Sequence, residues 1–168
     1  MRILVSAASK HGSTAEIATR IAAALRADLP IDDIVEVRSA ADVDDVTSYD
    51  AVVLGSAVYM GRWTEHAREL AALVAAEAPR PVWLFSSGPV GVPPKPTEEP
   101  VDVVDIANAT RSRGHRLFAG RIDRHRLGFA ERAVVLALRV PDGDFRDWDE
   151  IDAWAKRIAA DLTPAPVT

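Results

Sequence analysis

Ser9-Lys10-His11-Gly12-Ser13-Thr14 gathers three hydroxyls, a cation, an imidazole and one glycine into six residues. The apolar run Ile3-Leu4-Val5 precedes it, and apolar residues at helical spacing follow. A strand-to-helix turn of this composition suits an anion, because a helix start presents free N–H groups and a partial positive charge. Ser9, Ser13 and Thr14 would add hydroxyl donors, Lys10 a charge, and Gly12 lets the backbone curl close to a phosphate. The alternative is a turn that holds nothing, with Ser13 or Thr14 capping the helix.

Two more stretches invite the same question. Gly55-Ser56-Ala57-Val58-Tyr59-Met60-Gly61-Arg62-Trp63 puts aromatic and thioether side chains where a solvated turn would be expected. They suit a flat aromatic ligand stacked on its face; the alternative is a small satellite core under a long loop. Phe85-Ser86-Ser87-Gly88-Pro89-Val90-Gly91 offers backbone N–H and C=O groups that can read the edge of a heterocycle. Together the three stretches describe a pocket with a phosphate end, a stacking wall and a polar edge.

Other chemistries lack their residues. The first loop has one glycine where a dinucleotide site needs G-x-G-x-x-G, and no P-loop or G-x-S-x-G elbow occurs. A phospho-acceptor site would need carboxylates where the chain has Ser6-Ala7-Ala8 and Gly55-Ser56. There is no cysteine, so disulfides, thiolate nucleophiles and Cys-ligated metals are excluded. The four histidines, 11, 66, 115 and 125, have no metal-ligand spacing, and no metal is expected.

The elements that would position these loops alternate strand and helix. Strands are expected at Ile3–Val5, Ile34–Val37, Ala51–Leu54, Val82–Phe85 and His115–Ile122, the second at an edge because it alternates. Helices are expected from Ser13 or Thr14 to before Pro30, at 64–77, 101–111 and 148–162, with a proline-rich loop over 92–100. Apolar strands between amphipathic helices make an α/β three-layer sandwich with a five-stranded parallel sheet and helices on both faces. In such sheets ligands sit beyond the C-terminal strand ends, so the loops after strands one, three and four should converge. One domain is expected over 1–163, with an insertion around strand five at about 123–146 and a tail at 164–168.

Net charge is −5, which argues against nucleic acid as a partner. The basic residues concentrate: eight of the twenty lie between Arg111 and Arg139, against Asp123 and Glu131 alone. Within that segment, Phe129, Ala133, Val134, Leu136, Ala137 and Leu138 are flanked by Arg124, Arg126, Arg132 and Arg139. An apolar surface rimmed by arginine suits an anionic, greasy partner or an anionic membrane. An amphipathic helix packed on the sheet is the competing reading, and the density of apolar residues favours it. No apolar stretch is long enough to span a bilayer and no signal-peptide pattern is present, so a cytoplasmic location is expected, with peripheral contact at the inner face of the membrane as an addition.

At the three loops the sequence resembles the flavodoxin family, which binds FMN. The resemblance implies strand order 2-1-3-4-5. It also implies an FMN site built from Ser9, Lys10, His11, Gly12, Ser13 and Thr14 at the phosphate, Ser56 to Gly61 along one ring face, and Ser86 to Gly91 at the ring edge. The third loop lacks the tyrosine that stacks on the outer flavin face in electron-carrier flavodoxins, which leaves that face open. The sequence is more similar still to the menaquinone-dependent protoporphyrinogen dehydrogenase branch, through "SKHGST" and the run Pro141-Asp142-Gly143-Asp144-Phe145-Arg146-Asp147-Trp148. That likeness implies an FMN-dependent oxidoreductase that oxidises protoporphyrinogen or reduces a quinone, with Arg124 and Arg126 toward an anionic substrate. An electron carrier docking to redox partner proteins, or an FMN-free interaction module, are the alternatives. The oligomeric state stays open.

Overall fold

Side chains alternate between the two faces of a strand, so a run that is apolar throughout needs helices on both sides. The computed structural model, which describes residues 1–91, 95, 97–137 and 139–163, has that architecture. Strands β1 (Arg2–Ala8), β2 (Ile34–Ser39) and β3 (Ala51–Tyr59) are followed by β4 (Arg62–Trp63), a short antiparallel return on β3. Then come β5 (Val82–Ser87) and β6 (Gly114–Phe118). The sheet runs β2-β1-β3-β5-β6, all parallel, which is the expected 2-1-3-4-5 order once β4 is set aside.

Helices α1 (Ser13–Asp28), α2 (Glu65–Ala76) and α3 (Val103–Thr110) alternate with the strands; α4 (Phe129–Ala137) belongs to the insertion, and α5 (Trp148–Leu162) comes last. Ile3, Val5, Val53 and Phe85 pack against Ile17 and Ile21 of α1 and Ile151 and Ile158 of α5. Leu4, Val52, Leu54 and Leu84 pack on the opposite face against Leu70 and Val74 of α2 and Val103 of α3. Helices α1, α2, α3 and α5 thus bury the residues that their 3.6-residue period aligns.

The strand expected at 115–122 divides. Gly120 donates its N–H to Pro89 O at 2.6 Å and accepts from Phe145 N at 3.0 Å, so its backbone groups leave the sheet ladder. The chain continues as β7 (Arg121–Ile122), antiparallel to β8 (Gly143–Asp144). The insertion therefore occupies 123–142, closed at its base by this ribbon, four residues shorter than expected. The packed-helix expectation for it is corrected as well. No residue of α4 is buried, and Phe129 is 94% exposed. The expected tail at 164–168 and most of the first half of the 92–100 loop lie outside the described residues. Among the described residues no helix is long and apolar enough to cross a membrane.

One close approach locks the strand ends that carry the loops. Gly55 pairs with Phe85 across β3 and β5, and the Phe85 ring lies on the Gly55 backbone. A Cβ at Gly55 would stand 2.0 Å from Phe85 Cζ. Phe85 cannot retreat easily, since it meets Phe118 and Trp154 at ring-centroid distances of 6.1 and 6.2 Å. Gly55→Ala should therefore overpack the core and cost about 1–3 kcal/mol, read as a fall of several degrees in thermal midpoint. An unchanged midpoint would show that the Phe85 ring moves freely.

Candidate functional site

The loops after β1, β3 and β5 meet at one rim and enclose a cavity of about 570 Å³. At one end lies the turn before α1. Gly12 occupies the cap position in a left-handed conformation, φ 89°, and no side chain caps the helix. The expected Ser13 or Thr14 cap is thus replaced: Ser9 Oγ accepts from Gly12 N at 3.1 Å, and both later hydroxyl residues lie within the helix. A side-chain cap would have used the N–H groups an anion needs. Ser13 Oγ is buried without a hydrogen-bond partner and lines the cavity, as do Ser9, Lys10, His11 and Thr14. An unpartnered buried hydroxyl at an uncapped helix start is an anion cradle with one donor waiting.

Two arginines fix that helix start from behind. Arg146, 9% exposed, donates to Glu16 Oε2 at 2.7 Å, Ser13 O at 3.3 Å and both Asp144 oxygens at 2.8 and 2.6 Å. Its guanidinium also stacks 4.4 Å from the centre of the Trp148 ring. Arg121 reaches Glu16 with bonds of 2.9 and 3.1 Å. Burial pushes the Glu16 carboxyl up, but the bonds to Arg146 and Arg121 outweigh it and hold its pKa below the usual range. The run Pro141–Trp148 is thereby explained. Asp144 and Arg146 tie β8 to α1, and Asp147 caps α5 by accepting from Glu150 N at 3.0 Å.

The second loop supplies floor and wall. Ala57 and Val58 line the cavity floor; Tyr59 and Met60 line its rim. Met60 and Gly61 form the two-residue turn between β3 and β4 with φ of 50° and 74°, so Met60 projects fully into solvent. Lys10 Nζ stands 5.1 Å from the Tyr59 ring centre. Burial, and then the charge of Glu131, pushes the Tyr59 phenol up to about 12. From the third loop Ser87, Gly88 and Val90 line the cavity.

Several expected residues stand back from it. Ser56 and Ser86 are register partners whose side chains point away, by strand alternation, from those of Ala57 and Ser87. Ser56 Oγ accepts from Thr64 N at 3.0 Å, and Ser86 Oγ accepts from Trp63 Nε1 at 2.7 Å and meets His115 Nε2 at 2.8 Å. Gly12, Gly61 and Pro89 serve the turns, and Gly91 sits by Phe145 and Trp148 in a separate shallow depression. Arg124 and Arg126 lie outside the lining. Arg124 donates to Val140 O at 2.9 Å, and Arg126 pairs with Asp123 at 3.4 Å and donates to His11 O at 3.3 Å. Arg124 binds the insertion to itself, and Arg126 binds it to itself and to the first loop.

The roof comes from the insertion, which the sequence reading brought toward the substrate through Arg124, Arg126 and an apolar surface that included Val134, without assigning Ile122, Leu127, Ala130, Glu131 or Val135 to the site. Ile122, Leu127, Ala130, Glu131, Val134 and Val135 close the cavity from above, with Gly120 and Arg121 at its edge. Glu131 latches this roof to the anion cradle. Its carboxylate pairs with Lys10 Nζ, approaches His11 Nε2 at 3.2 Å and accepts from Gly128 N at 2.9 Å. The Lys10 ammonium and the Gly128 amide, more than burial opposes, bring its pKa down to about 2. The signal for it was present: Glu131 is the sole carboxylate between residues 124 and 140.

A family profile described as the flavodoxin domain matches residues 4–149, most of the chain. The chain belongs to the flavodoxin-domain family. No curated protein matches the sequence. Among solved structures, the chain is similar to a flavodoxin from the domain Archaea at 16% identity, covering 96% of this chain and 98% of that one, TM-score 0.66. It is also similar to the Streptococcus pneumoniae TIGR4 flavodoxin, at 17% identity over 96% and 100% of the two chains, TM-score 0.64. The rubredoxin oxygen:oxidoreductase of Desulfovibrio gigas matches over 96% of this chain and 36% of its own, at 11% identity and TM-score 0.64.

FMN is the cofactor this flavodoxin domain is built for, and the residues present fit it. The uncapped helix start and the unpartnered Ser13 hydroxyl suit the phosphate, while Ala57, Val58, Ser87 and Gly88 line the cavity with small residues that leave room for a ring.

The latch makes a prediction about pH. Because the folded-state pKa of Glu131 lies below its ordinary value of 4.5, its contribution is full above about 4.5 and is lost as pH falls toward about 2. Hydrogen exchange across 129–137 should be faster in Glu131→Gln than in the wild type near neutral pH, and the two should converge near pH ~2. A gap that persists at the acid end would mean that the carboxylate does not hold the roof.

Proposed function

We propose that the protein is an FMN-dependent oxidoreductase whose substrate is a planar, largely apolar molecule of the quinone or porphyrinogen class. The observation that carries this reading is the roof. Leu127, Ala130, Val134 and Val135 set an apolar surface over the cavity floor, leaving a slot suited to a flat greasy ring. Bound FMN would supply the electron transfer, and the chain would supply the rest. Ser9, Ser13, Thr14 and the start of α1 would hold the phosphate; once Glu131 releases them, Lys10 would add positive charge and His11 a ring nitrogen. Tyr59 and Met60 would border the ring, and the roof residues would orient substrate and exclude water. The resemblance of "SKHGST" and Pro141–Trp148 to the protoporphyrinogen dehydrogenase branch supports the same substrate class. Arg124 and Arg126 enter the proposal as tethers of the roof, through Arg124 Nη2 on Val140 O and Arg126 Nη1 on His11 O.

A second reading, an electron carrier for partner proteins, draws on the exposed Tyr59 and Met60 at the cavity rim. A protein acceptor needs only an accessible ring edge, whereas a small substrate needs the slot. Filling the slot separates them. Ala130→Trp should slow reaction with a soluble quinone or porphyrinogen at least about tenfold, while FMN affinity and electron delivery to a one-electron protein acceptor stay near wild type. Equal loss of both reactions, or turnover with the protein acceptor alone, would favour the carrier.

The cofactor itself is tested first. FMN added to the purified chain should quench its fluorescence and shift its absorption, and Ser13→Ala should weaken binding by about 1–2 kcal/mol. Affinity unchanged by the substitution would remove Ser13 from the phosphate site.

A further inference from the structure

Helix α4 has a second face that the cavity does not use. Phe129, Arg132, Ala133 and Leu136 stand at i, i+3, i+4 and i+7, on one side of the helix, and all four are exposed. Phe129 is 94% and Leu136 60% exposed, an unusual state for large apolar side chains set a helical repeat apart. Glu131 is turned to the other side, against Lys10 and His11. The outer face is therefore apolar with arginine as its only polar side chain.

The surroundings share this character. From 124 to 140 the chain carries Arg124, Arg126, Arg132 and Arg139 against the single, internally paired Glu131, although the whole protein is acidic at −5. Across the cavity, the β3–β4 turn lifts Met60 wholly into solvent. Met60 and Val134, itself 56% exposed, line the same cavity from opposite elements. Two apolar projections thus border one opening, and the segment that carries one of them also carries the exposed Arg126, Arg132 and Arg139.

We infer that the outer face of α4, together with the Met60 turn, docks the protein on an anionic lipid bilayer. The occupant follows from the chemistry. An apolar helix face with an arginine rim gains from both the acyl boundary and the negative headgroups. A protein partner would need fixed hydrogen-bonding complements, and the outer face of α4 offers no such group besides Arg132. Arg132 itself spends Nε and Nη2 on Arg124 O at 2.8 Å and His125 O at 3.3 Å, so it acts outward mainly as a diffuse charge. A fluid anionic surface accepts that arrangement; a specific protein surface rewards directed bonds. The inference does not depend on the redox reading, because α4 and the Met60 turn present the same surface whatever the cavity holds.

The experiment is sedimentation of the full chain with vesicles of phosphatidylcholine alone and of phosphatidylcholine mixed equally with phosphatidylglycerol. The chain should bind the mixed vesicles at least tenfold better than the neutral ones, and added salt should reduce binding. Phe129→Ser with Leu136→Ser should abolish it while leaving the thermal midpoint unchanged, since both side chains are exposed. Phe129→Trp should show an added blue-shifted emission on mixed vesicles, over the background of the four native tryptophans. Absence of binding to the mixed vesicles overturns the inference. So does binding that survives the double substitution, or a Phe129→Trp emission that does not shift. A wild-type dimer that the double substitution converts to monomer also overturns it, by making this face a contact between two copies of the chain.

Discussion

The cavity exists in its present form because one buried guanidinium decides where α1 begins. Arg146 is nearly enclosed, and burying it would be costly without the two carboxylates and the carbonyl it binds. Those partners come from different parts of the chain: Glu16 and Ser13 O from the first helical turn, Asp144 from the strand that ends the insertion. The same cation therefore clamps the phosphate-side turn and the exit of the insertion in one place. Arg121, on the entering strand of the insertion, shares Glu16 and completes the clamp. The anion cradle and the roof cannot shift independently at this end.

At the other end the roof is held differently. Lys10 and His11 meet Glu131, which is partly exposed and lies on a helix with no buried residue. Exposed pairs of this kind contribute little, while the Arg146 clamp is desolvated and multiply bonded. The insertion is thus anchored strongly at its base and weakly at its tip. The weak contact places a carboxylate beside the uncapped helix start, where an anion is favoured. A phosphate arriving there would be offered the same Lys10 ammonium and His11 ring nitrogen, so holding the roof down and holding a phosphate draw on the same groups.

Legibility in the sequence followed the range of the interactions. Local rules sufficed for the sheet: apolar runs, helix stripes and stop signals gave all five parallel strands and the boundaries of α5, because these depend on neighbours a few residues away. They also reached Ser9, Tyr59 and Gly88 at the converging loops, since parallel topology sends those strand ends to one rim. They failed where position depends on alternation or on distant partners. Ser56 and Ser86 look like Ser87 in composition and differ only in which side of the strand they occupy. The Ser13 or Thr14 cap was plausible by propensity, yet Gly12 takes that position. Glu131 meets Lys10 and His11 across more than a hundred residues of chain, the other roof residues line the same cavity, and no periodicity records that meeting.

The density of apolar residues in 129–137 was the least transferable signal, and the reason is physical. Seven apolar residues in a nine-residue helix usually mark a buried element, because exposing them leaves apolar area in water. Here the helix divides its apolar surface. Val134 and Val135, with Ala130, face the cavity, whereas Phe129, Ala133 and Leu136 face out. Neither side buries a residue, and the insertion that carries the helix is tied at its base by the β7–β8 ribbon and the Arg146 clamp. A helix so placed is stabilised by little of its own packing and is apolar in both directions. Its sequence answers to what occupies the cavity and what lies against the outside, not to the fold's core. The element that looked most like core is the one on which the core has least hold.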